Sequence, residues 1–93
     1  MVTRVPLGSQ PSPGPLARAV SAQVRALMAE HLITAQDLAK KAGLSRSYLG
    51  KRLRNESSFT VNDIEAICEA LDESLEVFSI DVVRRRKRDK AQE

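Results

Sequence analysis

Aromatic side chains are scarce: tryptophan is absent and only Tyr48, Phe59 and Phe78 represent the other ring types, so a core has to be aliphatic. One cysteine, Cys68, and one histidine, His31, exclude a disulfide framework and a Cys/His zinc cluster, because both need several such residues. The longest apolar runs fall far short of the ~20 residues that cross a bilayer, and the N-terminus lacks the apolar stretch of a secretory signal. A cytoplasmic protein with Cys68 as a reduced, buried thiol is expected. His31 reads as a helix-end residue, since no partner for catalysis or metal binding accompanies it. What is present is 93 residues, 42% of them hydrophobic, which suffices for one small helical bundle and leaves no room for a separate catalytic domain.

The net charge of +3 conceals segregation. Lys40, Lys41, Arg46, Lys51, Arg52 and Arg54 follow one another with no acid among them. Glu56, Asp63, Glu65, Glu69, Asp72, Glu73, Glu76 and Asp81 then occur without a Lys or Arg. Arg84, Arg85, Arg86, Lys87, Arg88 and Lys90 close the chain against Asp89, and without this tail the balance turns slightly negative. A local basic patch flanked by acid points to an anionic partner approached by one face, with nucleic acid the leading candidate.

All four prolines fall within the first fifteen residues, among Gly8, Ser9, Ser12 and Gly14, so residues 1–14 are expected to form a flexible arm. Pro15 suits the first position of a helix over about 15–30, whose apolar face is Leu16, Val20, Val24, Leu27 and Met28. Thr34 with Asp37 opens a second helix, with Asp in place of the usual Glu of a capping box, and Gly43 stops it. Ser45 caps a third helix carrying Leu49 and Leu53, and Asn55, which tolerates the left-handed conformation, ends it. Thr60 with Asp63 repeats the cap before Ile64, Ile67, Cys68 and Leu71. Beyond Ser74 the apolar residues wrap the whole helical wheel, while Phe78, Ile80 and Val82 alternate as in a strand. One helical turn over 74–78 followed by an extended segment is predicted there.

Residues 33–49 place two helices around a short turn containing Gly43, with small Ala39 at the crossing and Leu44 plugging the turn. In this layout the chain resembles the lambda-type repressor and Cro proteins, also called the XRE family. The resemblance continues through Arg52-Leu53-Arg54-Asn55-Glu56 and the fourth helix, covering roughly residues 17–78. In the run Ser-Arg-Ser-Tyr-Leu-Gly-Lys-Arg-Leu the sequence is similar to small repressors of actinobacterial phages. It implies an all-α, lambda-repressor-like bundle of four to five helices that binds double-stranded DNA, with the third helix, about 45–54, in the major groove. Two positions depart from the family. Ala35 stands where many members have a phosphate-contacting Gln, with Gln36 next to it, and Asn55 replaces a common Gly.

With Leu49 and Leu53 inward, the wheel puts Ser47, Lys51 and Arg54 outward, flanked by Tyr48 and Arg52. Arg46 and Ser47 would meet base edges, and Lys51, Arg52 and Arg54 phosphates. Gln36 and Tyr48 complete the expected DNA-binding set. Gly50, costly inside a helix, is read equally as close approach of a sugar-phosphate backbone or as a position under no selection.

The expected organisation is an arm over 1–14, a DNA-binding domain over 15–79, and a C-terminal segment over 80–93. Its apolar part, residues 75–83 from Leu75 to Val83, is expected to pair two copies into a homodimer through Phe78, Ile80 and Val82. The basic tail, lacking a periodic pattern, reads either as a disordered solubilising run or as a mobile arm that adds sequence-independent phosphate contacts, and the mobile arm is the expectation. No catalytic residue, cofactor, metal, membrane contact or small-molecule effector is implied. The expected function is a transcriptional regulator of the phage-repressor type. The alternative is a protein-interaction module, such as an antitoxin, on the same fold.

Overall fold

Local chemistry at helix ends sets the first part of the architecture. The computed structural model describes residues 11–91 and contains five helices: α1 Pro15–Glu30, α2 Ala35–Ala42, α3 Arg46–Leu53, α4 Val61–Ala70 and α5 Leu75–Ala91. The Thr34, Ser45 and Thr60 hydroxyls each accept the amide three residues on, from Asp37, Tyr48 and Asp63, at 3.1 Å. Only at Thr60 is the box reciprocal, with Asp63 Oδ2 accepting the Thr60 amide at 2.9 Å. Gly43 (φ 73°) and Asn55 (φ 62°) take the left-handed conformation that halts α2 and α3. Four of the five helices therefore follow the boundaries expected from sequence.

The helices bury one aliphatic cluster. Val24 of α1, Leu38 of α2, Leu49 of α3 and Ile67 of α4 are wholly inaccessible to solvent. Ala39, nearly as buried, lies beneath the α2–α3 turn, where its carbonyl accepts the Leu44 amide at 2.8 Å. Cys68 is buried beside Ile67, and loss of solvation, with the Glu73 charge second, raises its thiol pKa above the ordinary value. His31 caps the end of α1 and reaches Glu73 at 2.7 Å across the fold.

The C-terminal region corrects two expectations. No extended segment follows residue 78; α5 runs unbroken from Leu75 to Ala91, and the described residues contain no strand. The Ser74 hydroxyl accepts the Val77 amide at 3.2 Å and starts this helix, a cap signal that the wheel pattern obscured. Strand alternation would make Phe78, Ile80 and Val82 equivalent. In the helix Phe78 and Val82, one turn apart, are both 4% exposed, whereas Ile80 is 50% exposed. The apolar residues surround the wheel because one face completes the core and another lies open.

The tail is likewise helical over residues 84–91 instead of a patternless mobile arm. Arg85 Nε donates to Gln23 Oε1 at 2.6 Å, and Gln23 Nε2 lies 3.5 Å from Asp81 Oδ2, so this polar group ties α5 to α1. Of the expected N-terminal arm, residues 1–10 lie outside the described residues. Residues 11–14 are not helical, yet Pro13 is buried and its carbonyl accepts from Arg18 Nη1 at 2.8 Å.

Candidate nucleic-acid interface

The third helix presents a divided surface. Arg46, Ser47, Lys51 and Arg54 are exposed, as the wheel required, and Leu49 is buried. Arg46, Ser47, Gly50 and Arg54 line one shallow hollow together with Ala35 of α2 and Leu53. Gln36, the next residue of α2, is exposed. Of the expected contact residues, Arg46, Ser47 and Arg54 share this hollow, Gln36 and Lys51 are exposed outside its lining, and two are only partly exposed.

Tyr48 and Arg52 turn inward. The Tyr48 hydroxyl donates to Asp63 Oδ2 at 2.8 Å, and Asp63 is only 5% exposed. The Arg52 guanidinium lies 3.4 Å from the centroid of the Tyr48 ring, donates from Nη1 to the Tyr48 carbonyl at 3.2 Å, and has Nε 3.8 Å from Asp63. With 11% of its side chain accessible, Arg52 is enclosed by the fold that it braces. Desolvation, followed by the hydrogen bond to Asp63 and its charge, raises the Tyr48 pKa above its ordinary value. Asp63 therefore serves three groups: the α4 cap, the Tyr48 hydroxyl and the Arg52 charge. Sequence reasoning treated Asp63 only as a cap, because its partners lie on another helix.

Gly50 meets only a movable neighbour, so the fold itself does not require glycine here. A Cβ at this position would stand 2.9 Å from Nη1 of Arg54, whose guanidinium folds back over the glycine. Arg54 also pairs with Glu56 through Nε and Oε2, which partly offsets its charge. Lys51 has no such ion pair among the described residues and projects its ammonium freely. At the two helix N-termini here the Thr34 and Ser45 hydroxyls each take up one first-turn amide, and Asp37 adds a negative charge to the first turn of α2.

Among the described residues no cluster of three or more His, Cys, Asp or Glu side chains could hold a metal ion. None of their helices is long and apolar enough to cross a membrane. A second open surface is an apolar groove lined by Leu16 and Val20 of α1, Phe59 just before α4, Val61 at its start, and Leu75 and Val83 of α5.

Comparison with known proteins agrees with this geometry. A helix-turn-helix family model matches residues 24–78. The clp gene regulator ClgR from Corynebacterium glutamicum superimposes with a TM-score of 0.76 at 24% identity, covering 88% of this chain and 86% of that one. The wild-type restriction-modification controller protein C.Esp1396I gives a TM-score of 0.71 at 29% identity, over 78% of this chain and 94% of its own. A point mutant of that controller is 30% identical over 76% of this chain and 92% of its own, with a TM-score of 0.71. No curated protein matches the chain by sequence.

Proposed function

The chain belongs to the helix-turn-helix family, DNA-binding regulators of transcription, and from that premise we propose that it is a sequence-specific repressor of the phage type. In this reading α3 enters the major groove of double-stranded DNA. The observation that carries it is the division of α3: Arg46 and Ser47 stand open in its first turn while Tyr48, Leu49 and Arg52 anchor its other side. Arg46 is assigned to base reading, where its fork can pair with guanine, and Ser47 to an adjacent edge. Lys51 and Arg54 are assigned to phosphates, as is Gln36 at the start of α2. Tyr48 and Arg52 belong to the same site as the support of α3 rather than as contacts. The similarity to solved regulators, one of clp genes and one of a restriction-modification system, supports a role in transcription control.

A second copy of the chain is proposed to cover the apolar groove and the exposed Leu75, Val77, Ile80 and Val83 of α5. Such a dimer would place two α3 helices on successive major grooves, about one DNA turn apart. Selection of bound duplexes from a random pool tests the function. A single enriched motif is expected, and its two-fold symmetry would report the dimer. A pool that stays random would overturn the reading in favour of a protein-interaction module, such as an antitoxin, on the same fold.

A further inference from the structure

A helix cannot satisfy its own last carbonyls, and in α3 they are served from two sources. The Gly50, Lys51 and Arg52 oxygens accept the backbone amides of Arg54, Glu56 and Asn55 at 3.1, 2.9 and 3.1 Å. The Leu53 oxygen is served from α1. Arg25 Nη1 donates to it at 2.8 Å, and Ser21 Oγ lies 3.1 Å from both the Leu53 and Arg52 oxygens. Arg25 Nη1 also donates to Ser21 Oγ at 2.7 Å, so the two side chains, one helical turn apart, form one clamp. Ser21 is 1% exposed. The Arg25 cation stands at the negative end of the α3 dipole, where it adds to the hold.

We infer that Ser21 and Arg25 are positioning residues for base reading: they fix the direction in which α3 presents Arg46. The inference rests on the reading of α3 as the groove-entering helix. Leu49 is the one fully buried residue of α3, and Tyr48 and Arg52 hold the helix toward α4 through Asp63, so the clamp is what ties its C-terminal end to α1 and sets its tilt about those anchors. From the clamp to Arg46 the axis is about 12 Å long, and a tilt of about 5° moves the first turn by about 1 Å. A bidentate hydrogen bond does not survive such a displacement, whereas a long side chain on a phosphate follows it. Loss of the clamp therefore harms discrimination before it harms general DNA binding.

The test compares the full chain with Ser21→Ala, Arg25→Met and Arg25→Lys on the selected motif and on a random duplex at several salt concentrations. Circular dichroism melts confirm that each variant is folded. Ser21→Ala and Arg25→Met should lower the ratio of motif to random affinity roughly ten-fold, about the worth of one misaligned base contact. Random binding and its salt slope should stay unchanged, and Arg25→Lys, which keeps a cation and a donor, should restore much of the ratio. Arg46→Ala should cost less in the Arg25→Met background than in the wild type. Arg25 is exposed, so its variants serve even where the buried serine change prevents folding. An unchanged ratio overturns the inference. Equal losses on both duplexes with a flatter salt slope also overturn it, making Arg25 a phosphate contact. If the wild type itself shows no preference, the DNA-reading assignment fails first and the inference falls with it.

Discussion

The Tyr48 hydroxyl and the Asp63 carboxylate, 2.8 Å apart, join the outer helix of the candidate interface to the capping box of α4. Tyr48→Phe removes one donor and leaves Asp63 its other partners, so it should cost about 1 kcal/mol in urea or thermal unfolding. Asp63→Ala removes the cap and strands both the Tyr48 hydroxyl and the Arg52 charge, and about 3 kcal/mol or more is expected. The raised Tyr48 pKa favours the neutral phenol in the folded state. Its contribution should be complete below the unfolded value near 10 and decline as pH rises through the folded one. In Tyr48→Phe this alkaline decline should be smaller.

Arg46 and Lys51 should separate in binding measurements. Arg46→Ala should cost roughly 1 to 3 kcal/mol on the selected motif and relax preference at one base pair. Lys51→Ala should weaken motif and random duplex alike and flatten the log-log salt slope by about 0.9, as loss of one phosphate contact does. An Arg46 loss shared by random DNA would remove that residue from base reading. An unaltered slope for Lys51→Ala would place its ammonium in solvent.

Helical α5 makes Phe78 and Ile80 unequal. Phe78→Ala should destabilise the fold by about 3 to 5 kcal/mol, because that ring is buried against α1 and α4. Ile80→Glu should leave the melting of a monomer nearly unchanged and, in sedimentation, abolish self-association if this face pairs two copies. Equal effects of the two substitutions on stability would contradict the helix.

Within the basic end of α5, Arg85 should behave differently from Arg84 and Arg88. Arg85→Met leaves the buried Gln23 oxygen without its partner, and unfolding should become easier by about 1 to 3 kcal/mol. Arg84→Gln and Arg88→Gln, both at exposed positions, should leave stability within about 0.5 kcal/mol. Any effect of those two on DNA affinity should fade as salt rises.

The sequence makes the first four helices legible because each boundary is a local matter. Thr34, Ser45 and Thr60 find their partners three residues on, and Gly43 and Asn55 act at their own φ angles. For α5 the periodic signal failed. Its apolar residues serve both the core and an open face, and the short Ser74 cap was the remaining clue. Site residues were legible to the same depth. Wheel geometry found the outward Arg46, Ser47, Lys51 and Arg54, but the inward turn of Tyr48 and Arg52 depends on Asp63, in another helix. Ser21 and Arg25 gave no signal at all, since their carbonyl partners lie about thirty residues along the chain.

Gln23 acts as a register pin between the two longest helices. A greasy interface would let α5 slide along α1 by a turn with modest loss, but this amide is 5% exposed and has polar neighbours at both ends, Arg85 and Asp81. A slip of one turn, about 5.4 Å, would strand it in the interior. The open apolar face and the arginines that follow it are therefore held at a fixed station relative to α3. Under the proposed reading, a second copy seated on that face would inherit a set distance and angle to α3, and the spacing of paired half-sites would then depend on one buried glutamine far from that helix.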